Sequence, residues 1–382
     1  MKRSAEVVII GGGVSGLSIA YQLAKRGCRD VVLLEKQYLA SGATGRCGAG
    51  VRQQWGTEMN LRLSMGSMRM FERMNEELEY RGDIELTQTG YLLVAYNERQ
   101  WEQFNKNVEL QRKFGLSVEL CDPARAKEIV PCLNTDGLVG ATFCDTDGFC
   151  NPFHVAQAFA EAAKRLGVEI ETYTTVTGID QENGRIKAVH TDKGTISTPV
   201  VVDAAGGWSQ EVARMVGLEL PAYSERHQIL ITEPVDPVFT PMVMSFQHGF
   251  YTQQTPHGSI IIGMGEKDEP RGTDMRGSWQ FLHKMSQLIT WVLPPLEKAR
   301  VVRQWAGMYN MTPDKTPILG PHPELEGFFM ALGYSGHGFM ISPMVGVLLA
   351  ESILGLPASL PMEPLSIERF QKGELFVEPS VV

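Results

Sequence analysis

An apolar run, Val7-Val8-Ile9-Ile10, passes directly into Gly11-Gly12-Gly13-Val14-Ser15-Gly16 and then into a helical pattern reaching about Arg26. Few folds accept glycines at this spacing between a buried strand and a helix. Gly11 allows the tight turn, Gly13 lets the backbone approach a pyrophosphate, and Gly16 lets the helix pack close to the sheet. The helix's first amides, at Val14 and Ser15, then aim at phosphate oxygens. The next apolar run, Val31-Val32-Leu33-Leu34, ends on Glu35-Lys36, with Glu35 nineteen residues after Gly16. A carboxylate at that place accepts a hydrogen bond from a ribose hydroxyl and repels a 2′-phosphate. Strand, glycines, helix, strand and acid together specify a dinucleotide-binding unit.

The fingerprint alone leaves NAD and FAD open, because both present the same ADP half to the same loop. Other segments bear on the choice. Ser41-Gly42-Ala43-Thr44-Gly45-Arg46-Cys47-Gly48-Ala49-Gly50-Val51 is a small-residue loop that offers N–H groups and one guanidinium along a long cofactor; its alternative is a flexible surface loop. Val200-Val201-Val202-Asp203-Ala204-Ala205-Gly206-Gly207-Trp208 is another buried strand ending in glycines, and Gly333-Tyr334-Ser335-Gly336-His337-Gly338-Phe339-Met340 lies far along the chain. Glycine-rich contacts spread this widely suit an extended FAD better than NAD.

These motifs resemble the FAD-containing oxidases and dehydrogenases of the D-amino-acid oxidase superfamily. Residues 305–320 (WAGMYNMTPDKTPILG), with Ser366-Ile367-Glu368-Arg369-Phe370, are similar to beta subunits of heterotetrameric sarcosine oxidase. The GYSGHGF stretch is similar to beta subunits of dye-linked L-proline dehydrogenase. The resemblance implies an α/β fold: a Rossmann-type FAD-binding domain (1–85, 145–217 and 301–382) with a discontinuous α+β substrate domain on an antiparallel sheet (86–144 and 218–300). It also implies that backbone near Val176 meets the adenine, and that Gly307 and the Gly336–Met340 stretch approach the flavin.

Composition fits such an enzyme. The 382 residues are 43% apolar, enough for two cores. The net charge of −9 argues against nucleic acid or an anionic membrane as partner. The most membrane-like run, Phe339 to Leu356, carries Pro343 and Glu351 and reads as a buried helix rather than a span. No signal peptide fits ahead of the first strand, and the six cysteines show neither CxxC nor metal spacing, so they read as reduced thiols in a cytoplasmic protein. No metal site is expected.

Periodicity predicts further helices over 60–78, 98–114, 153–166 and 279–292, with strands near 90–95, 168–170, 174–179, 228–232 and 259–264. Two turn signals, Glu182-Asn183-Gly184-Arg185 and Asp192-Lys193-Gly194-Thr195, predict a meander of hairpins. A helix starting at Pro343 is expected to point its amides at the flavin's pyrimidine edge, since proline suits a first helical position.

Three residues are singled out for catalysis. Arg52 follows the small-residue loop, and its planar fork suits a substrate carboxylate; an ion pair between domains or a place on the cofactor phosphates is the alternative. His337 could orient substrate, bond the flavin or tune its charge through protonation near neutral pH, or merely satisfy backbone carbonyls. Tyr251, with Tyr309 and Tyr334, could wall the pocket. The resemblance implies a secondary amino acid such as sarcosine or proline as substrate, oxidised to an imine. It further implies a larger alpha subunit and a ferredoxin-like subunit as partners, and FMN at a subunit interface. The alternatives are a single-chain glycine or D-amino-acid oxidase, and an FAD electron-transfer subunit inactive without its partner. No cysteine lies in Gly333–Phe339, and His154 falls inside a predicted helix, so non-covalent FAD is expected.

Overall fold

The computed structural model describes residues 2–266 and 269–380. Six strands form the first sheet in the order Ile318–Pro321, Phe328–Leu332, Val201–Asp203, Val7–Ile10, Val31–Leu34, Glu169–Glu171. All neighbours are parallel except the first pair. The run Val7–Ile10 sits between two partners and is buried on both faces, which is why it reads as continuous apolar sequence instead of alternating.

One face of this sheet carries the helices Val14–Lys25, Pro152–Arg165 and Gly338–Ile353, against which Glu58–Phe71 packs. The other face is covered by the antiparallel meander Val176–Glu182, Arg185–Thr191 and Gly194–Ser197, whose Ile179, Ile186, Val189 and Ile196 meet Val8, Ile10 and Val32. The meander follows from its two turn signals.

An eight-stranded mixed sheet makes the second layer. Its order is Val301–Met311, Tyr223–Thr232, Ile260–Met264, Phe250–Gln254, Met242–Ser245, Tyr91–Ala95, Gly140–Cys144, Glu119–Cys121, and all pairs are antiparallel except Met242–Ser245 with Tyr91–Ala95. Because Val301–Met311 pairs with Tyr223–Thr232 along its length, this sheet runs past the boundary placed at 300. The helix Trp279–Val292 buries Phe281, Met285, Ile289 and Val292 against it.

Several helix starts follow from side-chain caps. Asn97, Asp122, Asn151 and Ser278 each accept a hydrogen bond from an amide of the first turn, and Pro123 and Pro152 occupy early positions where no donor is needed. The helix expected over 60–78 is broken: Glu58–Phe71 ends, and a single turn, Met74–Glu77, follows.

The helix expected to begin at Pro343 instead spans Gly338–Ile353, with His337 at its cap and Pro343 inside it. Proline removes the donor that would reach the carbonyl of Phe339. Ser342 replaces it, its hydroxyl donating to that carbonyl at 2.8 Å. The helix thus carries its proline without leaving a buried acceptor bare, and its N-terminus lies five residues earlier than the proline rule suggests.

Candidate active site

The two sheets meet over a cavity of about 260 Å³. Its lining begins at the glycine turn with Gly11, Gly13, Val14 and Ser15, takes in Glu35 and Lys36, and follows the Ser41–Cys47 loop. It continues through Val176, the Ala204–Trp208 turn, Gly307, Tyr309, Gly336, Gly338 and Phe339, and its far wall holds His227 and Tyr251. Stretches distant in sequence therefore share one groove. Gly16, Gly48, Ala49, Gly50, Val51, Arg52, His337 and Met340 lie outside the lining. Gly48 instead packs against Tyr251, where an added Cβ would sit 2.7 Å from the ring, and Gly50–Val51 pairs with Gly148–Phe149.

The glycine turn has the shape a pyrophosphate needs. Gly11 adopts φ +119°, and a Cβ there would lie 2.3 Å from the carbonyl oxygen of Ala204. A Cβ on Gly16 would lie 2.1 Å from the Gly11 carbonyl oxygen, so helix and strand can approach only through glycine. The N-cap residue Gly13 offers no side chain to the helix Val14–Lys25; the Val14 amide, expected to face phosphate, donates instead to Thr44 Oγ1 at 3.0 Å, while the next first-turn amides have no partner within the helix. Glu35 is buried, accepting from the amides of Gly12 at 2.8 Å and Gln37 at 2.7 Å. Its carboxylate is thereby fixed at the edge where a ribose would lie. A dinucleotide fits these residues.

Loop and large sheet are pinned together at the other end of the groove. Arg46 donates through Nε to the Ser41 carbonyl (3.0 Å) and through Nη1 to the Ala306 carbonyl (3.2 Å), while Trp305 Nε1 donates to the Arg46 carbonyl (3.0 Å). The small-residue stretch is therefore an ordered cavity wall. Lys36 lies 3.6 Å over the Trp208 ring at the opposite edge.

Three rings from three strands form the wall facing that loop. The His227 imidazole is parallel to Tyr309 (4.1 Å between centroids, 5°) and to Tyr251 (5.6 Å, 4°). Burial pushes His227 down to about 3, and the phenols of Tyr251 and Tyr309 well up, so all three are neutral near pH 7. His227 was not among the residues singled out from sequence. In the sequence His227 stands just ahead of the strand expected over 228–232, whereas the strand begins at Tyr223 and carries it.

Arg52 and His337 share a layer behind this wall. Arg52 is 1% exposed, and its guanidinium lies 3.9 Å from the Trp55 ring. Nη1 donates to the Gln54 carbonyl (2.9 Å), Nη2 to the Ser380 carbonyl (2.6 Å), and Nε has no partner. Among the described residues Arg52 makes no ion pair. The His337 ring is 4.7 Å from Trp55, and burial, with Arg52 nearby, takes it down to about 3. His154 bonds the Tyr80 hydroxyl at 2.7 Å, away from the cavity lining.

Among the described residues no cluster of His, Cys, Asp or Glu could hold a metal, and no helix is long and apolar enough to cross a membrane.

A family model described as FAD dependent oxidoreductase matches residues 6–352. Sarcosine oxidase subunit beta of an Arthrobacter species is 32% identical over 383 residues, spanning 99% of this chain and 94% of that one. The crystal structure of L-proline dehydrogenase from P. horikoshii superposes with a TM-score of 0.93 at 40% identity, covering 98% of this chain and 100% of that chain. Glycine oxidase from Geobacillus kaustophilus gives a TM-score of 0.88 at 28% identity, covering 96% and 99%. The chain therefore belongs to the FAD-dependent oxidoreductase family.

Proposed function

We propose that this chain oxidises a secondary amino acid at the carbon next to nitrogen, yielding an imine that water hydrolyses. The observation that carries the reading is the neutral wall of His227, Tyr251 and Tyr309 at the end of the dinucleotide groove. Bound non-covalently, FAD supplies the hydride acceptor. The wall adds no charge of its own, so burial against it favours an uncharged amine over an ammonium, and the edges of its stacked rings suit a small ring or an N-methyl group. Arg46, in the lining, and Arg52, behind it, supply positive charge for the substrate carboxylate. The likeness to enzymes named for proline and sarcosine supports this substrate class.

The helix Gly338–Ile353 adds to the same end of the groove. Gly338 and Phe339 line the cavity, so the first-turn amides and the positive end of the helix dipole favour negative charge there. The six cysteines are free thiols, which supports a reducing cytoplasmic setting.

A second reading makes this chain one subunit of a complex, with FMN held where it meets a larger chain. It is favoured by three relatives named as beta subunits, of which this chain covers 94%, 92% and 91%. Anaerobic mixing of the purified FAD protein with L-proline, sarcosine, glycine and D-amino acids separates the readings. Bleaching of the flavin by one secondary amino acid alone establishes the first. Bleaching only after a partner is supplied establishes the second, and bleaching by glycine or D-amino acids overturns the substrate class.

A further inference from the structure

Resting on the reading above, we propose that the segment 374–380 is a latch that positions Arg52 and thereby sets the site's affinity for carboxylates. Its root is a buried ion pair. Arg369 donates to Asp314 through Nε at 2.7 Å and Nη2 at 3.1 Å, with side chains 1% and 0% exposed. The same aspartate accepts from the Phe376 amide at 3.3 Å, and its carbonyl accepts from the Glu378 amide at 3.1 Å. Thr316 donates its hydroxyl to the Phe376 carbonyl at 2.7 Å. The segment is thus led inward along a fixed line.

Glu378 is the next anchor, 1% exposed, and its carboxylate is saturated. It accepts from the amides of Gly56 (3.0 Å), Thr57 (3.1 Å) and Ser380 (2.9 Å), from the Thr57 hydroxyl (2.6 Å) and from Asn60 Nδ2 (3.1 Å). Those groups open the helix Glu58–Phe71, where a carboxylate offsets the bare first-turn amides. Ser380 follows, taking Asn107 Nδ2 on its hydroxyl at 3.1 Å and Arg52 Nη2 on its carbonyl at 2.6 Å.

That last bond matters because of what else holds Arg52. Its other acceptor, the Gln54 carbonyl, is only two residues away and follows any local movement. Ser380 is the one distant partner among the described hydrogen bonds. Both acceptors are neutral, so the buried guanidinium keeps a charge that no adjacent carboxylate cancels. Asp147 and Glu378 lie near enough to feel it, yet both are occupied by other donors. Arg52 lies near Tyr309, which lines the cavity, and stacks on Trp55, which touches His337. Releasing 378–380 frees the cation from its fixed distance to the cavity and admits water around it, weakening its pull on an anionic ligand.

The test uses FAD-loaded protein and two probes of one shape, benzoate and neutral benzamide, titrated by perturbation of the flavin absorbance. Wild type is compared with a chain ending at Val377 and with Glu378→Gln, which keeps the volume but sets its one NH2 group against donors, either the Gly56 and Ser380 amides or the Thr57 and Asn60 groups. The expected result is a benzoate Kd raised about tenfold or more, with benzamide unchanged within about twofold. Equal losses for both probes mark general disorder and overturn the latch, as does unaltered benzoate binding in Glu378→Gln. Should the shortened chain not fold, Glu378→Gln alone decides. Failure of the wild type to take up FAD overturns the functional reading beneath it instead.

Discussion

The imidazole of His227 lies 4.1 Å from the Tyr309 ring, within 5° of parallel, and both face the cavity. A ring held this way offers a neutral edge to the ligand and cannot turn without breaking the stack. His227→Leu is expected to lower kcat/KM by about ten- to hundredfold with FAD retained, through lost alignment of the substrate. Tyr309→Phe, which keeps the stack, costs about fivefold or less. Steady-state kinetics on the substrate found by flavin bleaching check both.

Gly16→Ala places a methyl 2.1 Å from the Gly11 carbonyl oxygen. The helix must retreat from the strand, and the turn opens. FAD is expected to be lost on purification while most secondary structure stays; the ratio of flavin to protein absorbance together with circular dichroism measures this. Full flavin content in Gly16→Ala would contradict the packing described.

The Asp314–Arg369 pair joins segments 55 residues apart at 1% exposure or less. Arg369→Met leaves a buried carboxylate facing amides alone, and a loss of about 3–5 kcal/mol is expected. Adding Asp314→Leu is expected to recover part of it, since removing both charges removes the desolvation cost. Urea midpoints of the three proteins are the measurement.

Four buried groups oppose each other in acid. Burial takes His227 and His337 down to about 3 and pushes Asp147 up to about 6 and Asp203 up to about 7. Below pH 6.5 the unfolded histidines bind protons that the folded ones refuse, so their part of the stability falls as pH falls. The aspartates hold protons in the folded state that the unfolded chain has released above about pH 4, so their part falls as pH rises towards 6 or 7. The two trends offset between about pH 4 and 6. Asp203→Asn removes one opposing member while Oδ1 can still accept from the Ala205 amide, at 3.1 Å in the native chain. Stability is then expected to drop more steeply on acidification, by up to about 1.4 kcal/mol per pH unit. Urea midpoints at three acidic pH values decide this, and an unchanged slope counts against it.

Local chemistry was legible in the sequence wherever it was self-contained. The strand Val7–Ile10, the glycine turn, the strand Val31–Leu34 and Glu35 meet one another within the single stretch 7–35, and the helix Trp279–Val292 has both its cap and its apolar period in one stretch. The start of Gly338–Ile353 was misplaced because the proline rule assumes a missing donor goes unreplaced; Ser342 replaces it. His227 was passed over because its meaning lies in two rings delivered by other strands. Glu378 and Ser380 carry no sequence signal, as their partners stand 321 and 328 residues away.

The six-stranded sheet has a consequence for how the chain is made. Val7–Ile10 cannot complete its pairing until Val201–Asp203 has been synthesised, and that strand waits in turn for Phe328–Leu332. A ribosome therefore extrudes an apolar edge well before its neighbours exist. Loop closures of this span are slow, and an unpaired apolar strand is prone to associate with others. Lower growth temperature and added chaperone are therefore expected to raise soluble recovery without changing the folded enzyme.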